Sequence, residues 1–127
     1  MGNKARILIV DRNNNVCRLL ARELGAEGYF VDTIDDGTEL INIIKADSAY
    51  DLMILDPDRL YVAGKSLFEI LNDFVIPFPV IIYTSCIAFY ENSALKGGHL
   101  FMEKNEPITQ LKTIIEKLIK LKKRQPS

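Results

Sequence analysis

The sequence predicts an α/β domain: a parallel sheet of five strands, doubly wound, with helices packed on both faces. Three observations carry that prediction. Five short runs rich in apolar residues, RILIV, YFVDT, LMIL, PVIIY and LFM, alternate with segments of helical periodicity. The central run, Leu52 to Leu55, is apolar at every position, as strands covered on both faces are. Four of the runs then stop at or next to a polar side chain: Asp11, Asp56, Thr84 with Ser85, and Glu103 with Lys104. Strict strand-helix alternation implies right-handed crossovers, which put all of those polar groups at one edge of the sheet. That edge is where open α/β sheets bind ligands.

The elements follow in chain order. RILIV, Arg6 to Val10, is the first strand and delivers Asp11. Asn13, Asn14 and Asn15 offer capping side chains to a first helix carrying Val16, Leu20 and Leu24, which should close near Gly25 or Gly28. Tyr29 to Thr33 is the second strand. After the turn Asp35, Asp36, Gly37, a second helix carries Leu40, Ile41, Ile43 and Ile44. The central strand delivers Asp56, and a loop then runs to Gly64. Leu67, Ile70 and Leu71 mark a short third helix ending near Pro77. Pro79 to Tyr83 is a fourth buried strand, and Ile87 to Leu95 a brief fourth helix closed by Gly97 and Gly98. Leu100 to Met102 is the fifth strand. Asn105 is expected to cap the last helix, with Pro107 in its first turn and Ile108, Leu111, Ile115 and Leu118 as its apolar stripe. The polar tail after Lys120 should fray.

Composition narrows the function classes. The 127 residues suffice for one core and predict a single domain over 1–127, core about 6–121, with no output domain. A net charge of −1 exerts no general pull toward nucleic acid or membrane. The basic residues near the C-terminus, Lys117, Lys120, Lys122, Lys123 and Arg124, suit the solvated face and end of a helix. With neither a signal-peptide pattern nor an apolar run of membrane-spanning length, the reading is cytoplasmic, with Cys17 and Cys86 as reduced thiols. No glycine-rich phosphate loop appears, which argues against a nucleotide site. His99 has no base or ligand partner in the pattern, and Phe89 and Tyr90 are read first as packing and ordinary exposure.

Taken in order, the pieces ILIVD, EGYFV, DDG, DLMILD, Gly64 eight residues past Asp56, PVIIYTS and FMEK resemble the receiver domain of two-component response regulators, from about Arg6 to Leu121. The resemblance implies a flavodoxin-like (βα)5 fold with strand order 2-1-3-4-5. It implies Asp56 as phosphoacceptor, Asp11 with Asp56 and Asp58 as a Mg²⁺ site, Thr84 as the hydroxyl switch, Phe101 as the aromatic switch and Lys104 as the phosphoryl-contacting lysine. A histidine kinase or phosphotransfer protein would supply the phosphoryl group. A downstream protein would read the face made by the fourth helix, fifth strand and fifth helix. No nucleic acid or membrane partner is expected, and no enzymatic activity beyond self-phosphorylation from small donors and slow autodephosphorylation. The chemistry is coherent: transfer to a carboxylate needs positioning and charge neutralisation, which a metal and a fixed lysine provide.

The departures are informative. Receivers usually carry two adjacent acids after the first strand, and here Arg12 follows Asp11. That substitution weakens the case for Mg²⁺ and leaves three readings of Arg12: Asp58 turns inward as a substitute ligand, the guanidinium fills the metal position, or it points to solvent. Leu60 and Asn105 replace customary prolines. A degenerate receiver that binds partners without phosphorylation, with Arg12 as a fixed cation in the metal pocket, is therefore a second reading. A third comes from enzymes: DPD after an apolar strand, a strand-end TS and a later lysine resemble the first motifs of haloacid-dehalogenase-type phosphatases. That family needs further acids after its lysine, yet no aspartate follows Asp73 and only Glu106 and Glu116 follow Lys104.

Overall fold

The sheet is built from β1 (Arg6–Val10), β2 (Phe30–Ile34), β3 (Leu52–Leu55), β6 (Val80–Thr84) and β7 (Leu100–Glu103), all parallel, in the order β2-β1-β3-β6-β7. This is the 2-1-3-4-5 order that the resemblance implies, counted over sheet strands. A computed structural model of the chain describes residues 5–46, 49–85 and 100–124. The predicted helix over 87–95 falls outside them, as do Cys86, Phe89, Tyr90, Gly97, Gly98 and His99.

Side-chain alternation along each strand sends neighbours to opposite faces, so one sheet supports two cores. Leu8, Val10, Met53, Leu55, Val80 and Ile82 meet α2 (Gly37–Lys45) and α3 (Leu67–Leu71) on one face. Ile7, Ile9, Leu52, Ile54, Ile81, Tyr83 and Met102 meet α1 (Asn14–Ala26) and α4 (Ile108–Arg124) on the other. All four residues of β3 are buried, which is why its sequence shows no polar alternation.

Local chemistry sets the helix ends. The Asn13 side chain accepts from the N–H groups of Asn15 and Val16, so Asn13 caps α1 and Asn14 and Asn15 lie inside it. The helix passes through Gly25, and Gly28, at φ 94°, ends it. The second strand lies one residue later than expected, Phe30 to Ile34, because Ile34 is buried in the core against α2. The third helix stops at Leu71, well before Pro77, and turns bonded from Asn72, Asp73 and Phe74 follow it.

Three further expectations are corrected. The segment before Gly64 is not a plain loop: β4 (Tyr61–Val62) and β5 (Lys65–Ser66) form an antiparallel hairpin around Ala63 and Gly64. Both loop residues have positive φ, 51° and 81°, the signature of a two-residue type I′ turn. The hairpin rests on α2 at Gly37, where an added Cβ would meet Val62 Cγ2 at 2.9 Å and the Tyr61 carbonyl oxygen at 3.1 Å. Asn105 does not cap the last helix. It lies in the turn after β7, and α4 starts at Ile108, directly after Pro107, whose carbonyl accepts the Gln110 N–H. Nor does that helix fray at Lys120. It continues to Arg124 because Lys122 Nζ donates to the Tyr50 carbonyl and to Asp51 Oδ1, both at 3.1 Å, while Asp51 Oδ2 accepts the Arg6 N–H. Lys122 is thus an anchor to the sheet, not part of a solvated end.

Candidate functional site

Each strand end at the carboxyl edge is pinned by its neighbour. The Asp11 N–H donates to the Ile34 carbonyl, the Asp56 N–H to the Val10 carbonyl, and the Lys104 N–H to the Thr84 carbonyl. The main chain of Asp11, Asp56 and Lys104, and so the points from which their side chains leave the edge, is therefore fixed by the sheet itself. Asp11 and Asp56 end β1 and β3, which flank the point where strand order reverses, and both are buried, at 4% and 7% exposure.

Lys104 joins them. Its Nζ lies 2.7 Å from Asp11 Oδ2 and 2.6 Å from Asp56 Oδ2, forming a triad of two carboxylates around one ammonium. The remaining carboxylate oxygens are also satisfied. Asp11 Oδ1 accepts the Asn13 N–H at 2.8 Å and Asp56 Oδ1 the Asp58 N–H at 3.0 Å, so each acid closes a turn on the residue two positions on. Arg12 and Pro57 stand at the apices of those turns. The Cys17 thiol donates to the Asp11 carbonyl at 3.4 Å. Asn13 and Cys17 as supports of Asp11 were not anticipated from the sequence, although an Asp-x-Asn step is a signal for such a turn.

Electrostatics follow from burial. Burial pushes the Asp11 carboxyl above its ordinary range, with the Lys104 hydrogen bond only partly offsetting it. Burial alone would pull Lys104 down, but hydrogen bonds and attraction from Asp11 and Asp56 prevail and hold its ammonium above the usual value. Burial, with Asp11 and Asp35 nearby, also pushes the Cys17 thiol up, so it remains a protonated donor.

The other predicted site residues are distributed as follows. Thr84 is fully buried at the end of β6. Phe101 is half-buried and packs against the core on the α2 and α3 face. Asp58 does not turn inward: its carboxylate is 40% exposed and lies 3.9 Å from Arg59 Nε. Arg12 is exposed, and among the described residues no ion pair or hydrogen bond engages its side chain. The cation between the two buried acids is Lys104. Among the described residues no group of three or more His, Cys, Asp or Glu side chains comes together to hold a metal.

Comparison with known proteins agrees with the geometry. The response regulator receiver domain model matches residues 7–116. The receiver domain of the Francisella response regulator 1452 is 25% identical with a TM-score of 0.77, over 94% of this chain and 99% of that one. The response regulator TrrA of Thermotoga maritima, in a structure with Mg²⁺ and beryllium fluoride, is 28% identical with a TM-score of 0.68, over 90% and 98%. TrrA in complex with the histidine kinase ThkA gives 28% and 0.69, over 90% and 97%. The sensor histidine kinase RcsC of Salmonella typhimurium is 28% identical over 93 residues, 72% of this chain, and the chain spans about a tenth of that relative's length. Among the described residues no helix is long and apolar enough to cross a membrane. With the sheet order, the strand-end acids and a family match over most of its length, the chain belongs to the response regulator receiver domain family of two-component systems.

Proposed function

We propose that Asp56 accepts a phosphoryl group, delivered by a histidine kinase or phosphotransfer protein, and that the domain passes the signal to a downstream protein partner in the cytoplasm. The observation that carries this reading is the Lys104 bridge. An ammonium 2.6 Å from Asp56 Oδ2 is already placed to meet the oxygens of a phosphoryl group on that carboxylate. Asp56 has the burial of a positioned nucleophile, and its backbone N–H is held by β1. Thr84, at the end of the adjacent strand, would answer the new charge, and Phe101, half-buried on β7 opposite Ile82, would relay the change. Lys104 exchanges one carboxylate contact for a phosphoryl contact as the group arrives. The domain is not an enzyme in its own right, beyond taking phosphoryl groups from small donors and losing them slowly.

The donor set fits a weakly held Mg²⁺. Magnesium uses one or two carboxylates and keeps several waters; Asp11 and Asp56 would supply the two, and the family resemblance adds the main-chain carbonyl of Asp58. When bound, the ion offsets phosphoryl charge and orients oxygens. Asp58's carboxylate contributes nothing inward, and Arg12 stands where a second acid is usual, so affinity should be low. A second reading, partner binding without phosphorylation, draws on this absence of a third acid among the described residues. Intact mass after incubation with Mg²⁺ and acetyl phosphate separates the two: an adduct lost in Asp56→Ala supports the first, and an unlabelled wild type supports the second.

A further inference from the structure

Among the described residues of the edge, Arg12 is atypical, and neither the fold nor the triad provides a use for it. It stands at the apex of the turn that Asp11 closes on Asn13, exposed, with no ion pair or hydrogen bond to its side chain among the described residues. Arg12 follows a buried carboxylate directly and stays exposed, although two carboxylates on one ammonium still carry a net negative charge. Opposite charges nearby would ordinarily draw it inward. Asp11 and Asp56 are already satisfied by Lys104 and by backbone N–H groups, so among the described residues nothing in the resting site recruits it. A dianionic phosphoryl group on Asp56 would. Guanidinium matches phosphate oxygens with a planar fork, and a single arginine placed on a phosphoryl group in transit stabilises the charge that develops there.

We propose that Arg12 is an arginine finger carried in cis, a residue that leaves solvent to bind the phosphoryl oxygens during transfer to Asp56 and so reduces the need for Mg²⁺. The inference rests on the phosphoacceptor reading of Asp56. An Asp56 carboxylate oxygen forms the new O–P bond as the donor's P–O or P–N bond breaks, and the electron pair leaves with the donor group, acetate in the case of acetyl phosphate. Arg12 and Lys104 hold the equatorial oxygens through that exchange. No proton changes hands on the protein.

The test compares wild type, Arg12→Gln, Arg12→Lys, Arg12→Asp and Asp56→Asn with two probes: acetyl phosphate labelling by intact mass, and equilibrium binding of beryllofluoride, each in EDTA and in saturating Mg²⁺. Arg12 is exposed, so thermal melting of Arg12→Gln should match wild type. The expected result is labelling and beryllofluoride binding by wild type in EDTA, slowed or weakened about tenfold to a hundredfold in Arg12→Gln. Mg²⁺ should restore Arg12→Gln, Arg12→Lys should fall between the two, and Arg12→Asp should require Mg²⁺ absolutely. Wild type labelled on Asp56 only with Mg²⁺, or Arg12→Gln indistinguishable from wild type in EDTA, overturns the finger and leaves the phosphoacceptor reading intact. Wild type labelled in neither condition, or a label surviving in Asp56→Asn, overturns the phosphoacceptor reading and the finger with it.

Discussion

Replacing Lys104 by Met keeps the length of the side chain and deletes the charge that two buried carboxylates share. Each Nζ–Oδ2 contact, at 2.7 and 2.6 Å, corresponds to about 6 kcal/mol of attraction at an effective dielectric constant of about 20. Much of that is cancelled by the cost of taking the ammonium out of water, and breaking such a buried pair typically costs about 3–5 kcal/mol net. The pH dependence gives the prediction its sign. Lys104 is held above its ordinary value of 10.5, so its contribution is complete below that value and is lost only as pH rises beyond it. Asp11 is raised above 3.8, so the native state binds its proton more tightly than the unfolded chain. Its ionisation therefore costs stability at neutral pH, a cost relieved as pH falls through the raised value. Without Lys104, whose hydrogen bond and charge lower it, that value rises further. Urea unfolding of Lys104→Met should thus show a loss of about 3–5 kcal/mol at pH 7.5 that shrinks toward pH 5, with wild type far less pH-sensitive over that range. Lys104→Met combined with Asp11→Asn should recover more than half of the loss. A deficit under about 1 kcal/mol, or one that does not change with pH, would refute the shared-ammonium account.

Four smaller outcomes follow from the same structure. Gly37→Ala forces a Cβ against Val62 and the Tyr61 carbonyl, and chemical denaturation should report a loss of about 1–3 kcal/mol. Ala63→Gly relieves a left-handed alanine in the hairpin turn and should raise the melting temperature, equivalent to up to about 1 kcal/mol, whereas Gly64→Val should lower it. Asn13→Ala removes the α1 cap and should cost about 1 kcal/mol in thermal unfolding. Lys122→Ala frees the end of α4 from Asp51 and Tyr50, and amide exchange should rise over Ile119 to Arg124 with little change in the β1 or β3 amides.

The strand ends were legible because an apolar run halted by an acid is a strong local pattern, and the parallel sheet carries it in consecutive order. Asp11, Asp56, Thr84 and Lys104 came to one edge for that reason alone. What the sequence concealed is long-range or very short. Lys122 holds the last helix through Asp51, a partner 71 residues away, and no local signal marks that pairing. The hairpin strands hold two residues each, too few to show period-two alternation, and Ala63 is not a residue that announces a left-handed turn. Asn105 looked like a cap, but Pro107, with no N–H to lose at a helix start, sits closer to the first turn. Arg12 was visible as a departure; that it lies outside while Lys104 holds both acids required side-chain positions.

The central claim is that Asp56 is the phosphoacceptor, and intact mass after incubation with acetyl phosphate and Mg²⁺, on wild type and Asp56→Ala in parallel, tests it most directly. A single phosphoryl adduct on wild type, absent from Asp56→Ala, is the predicted result. An adduct that survives the substitution, or a wild type that takes none, would contradict it.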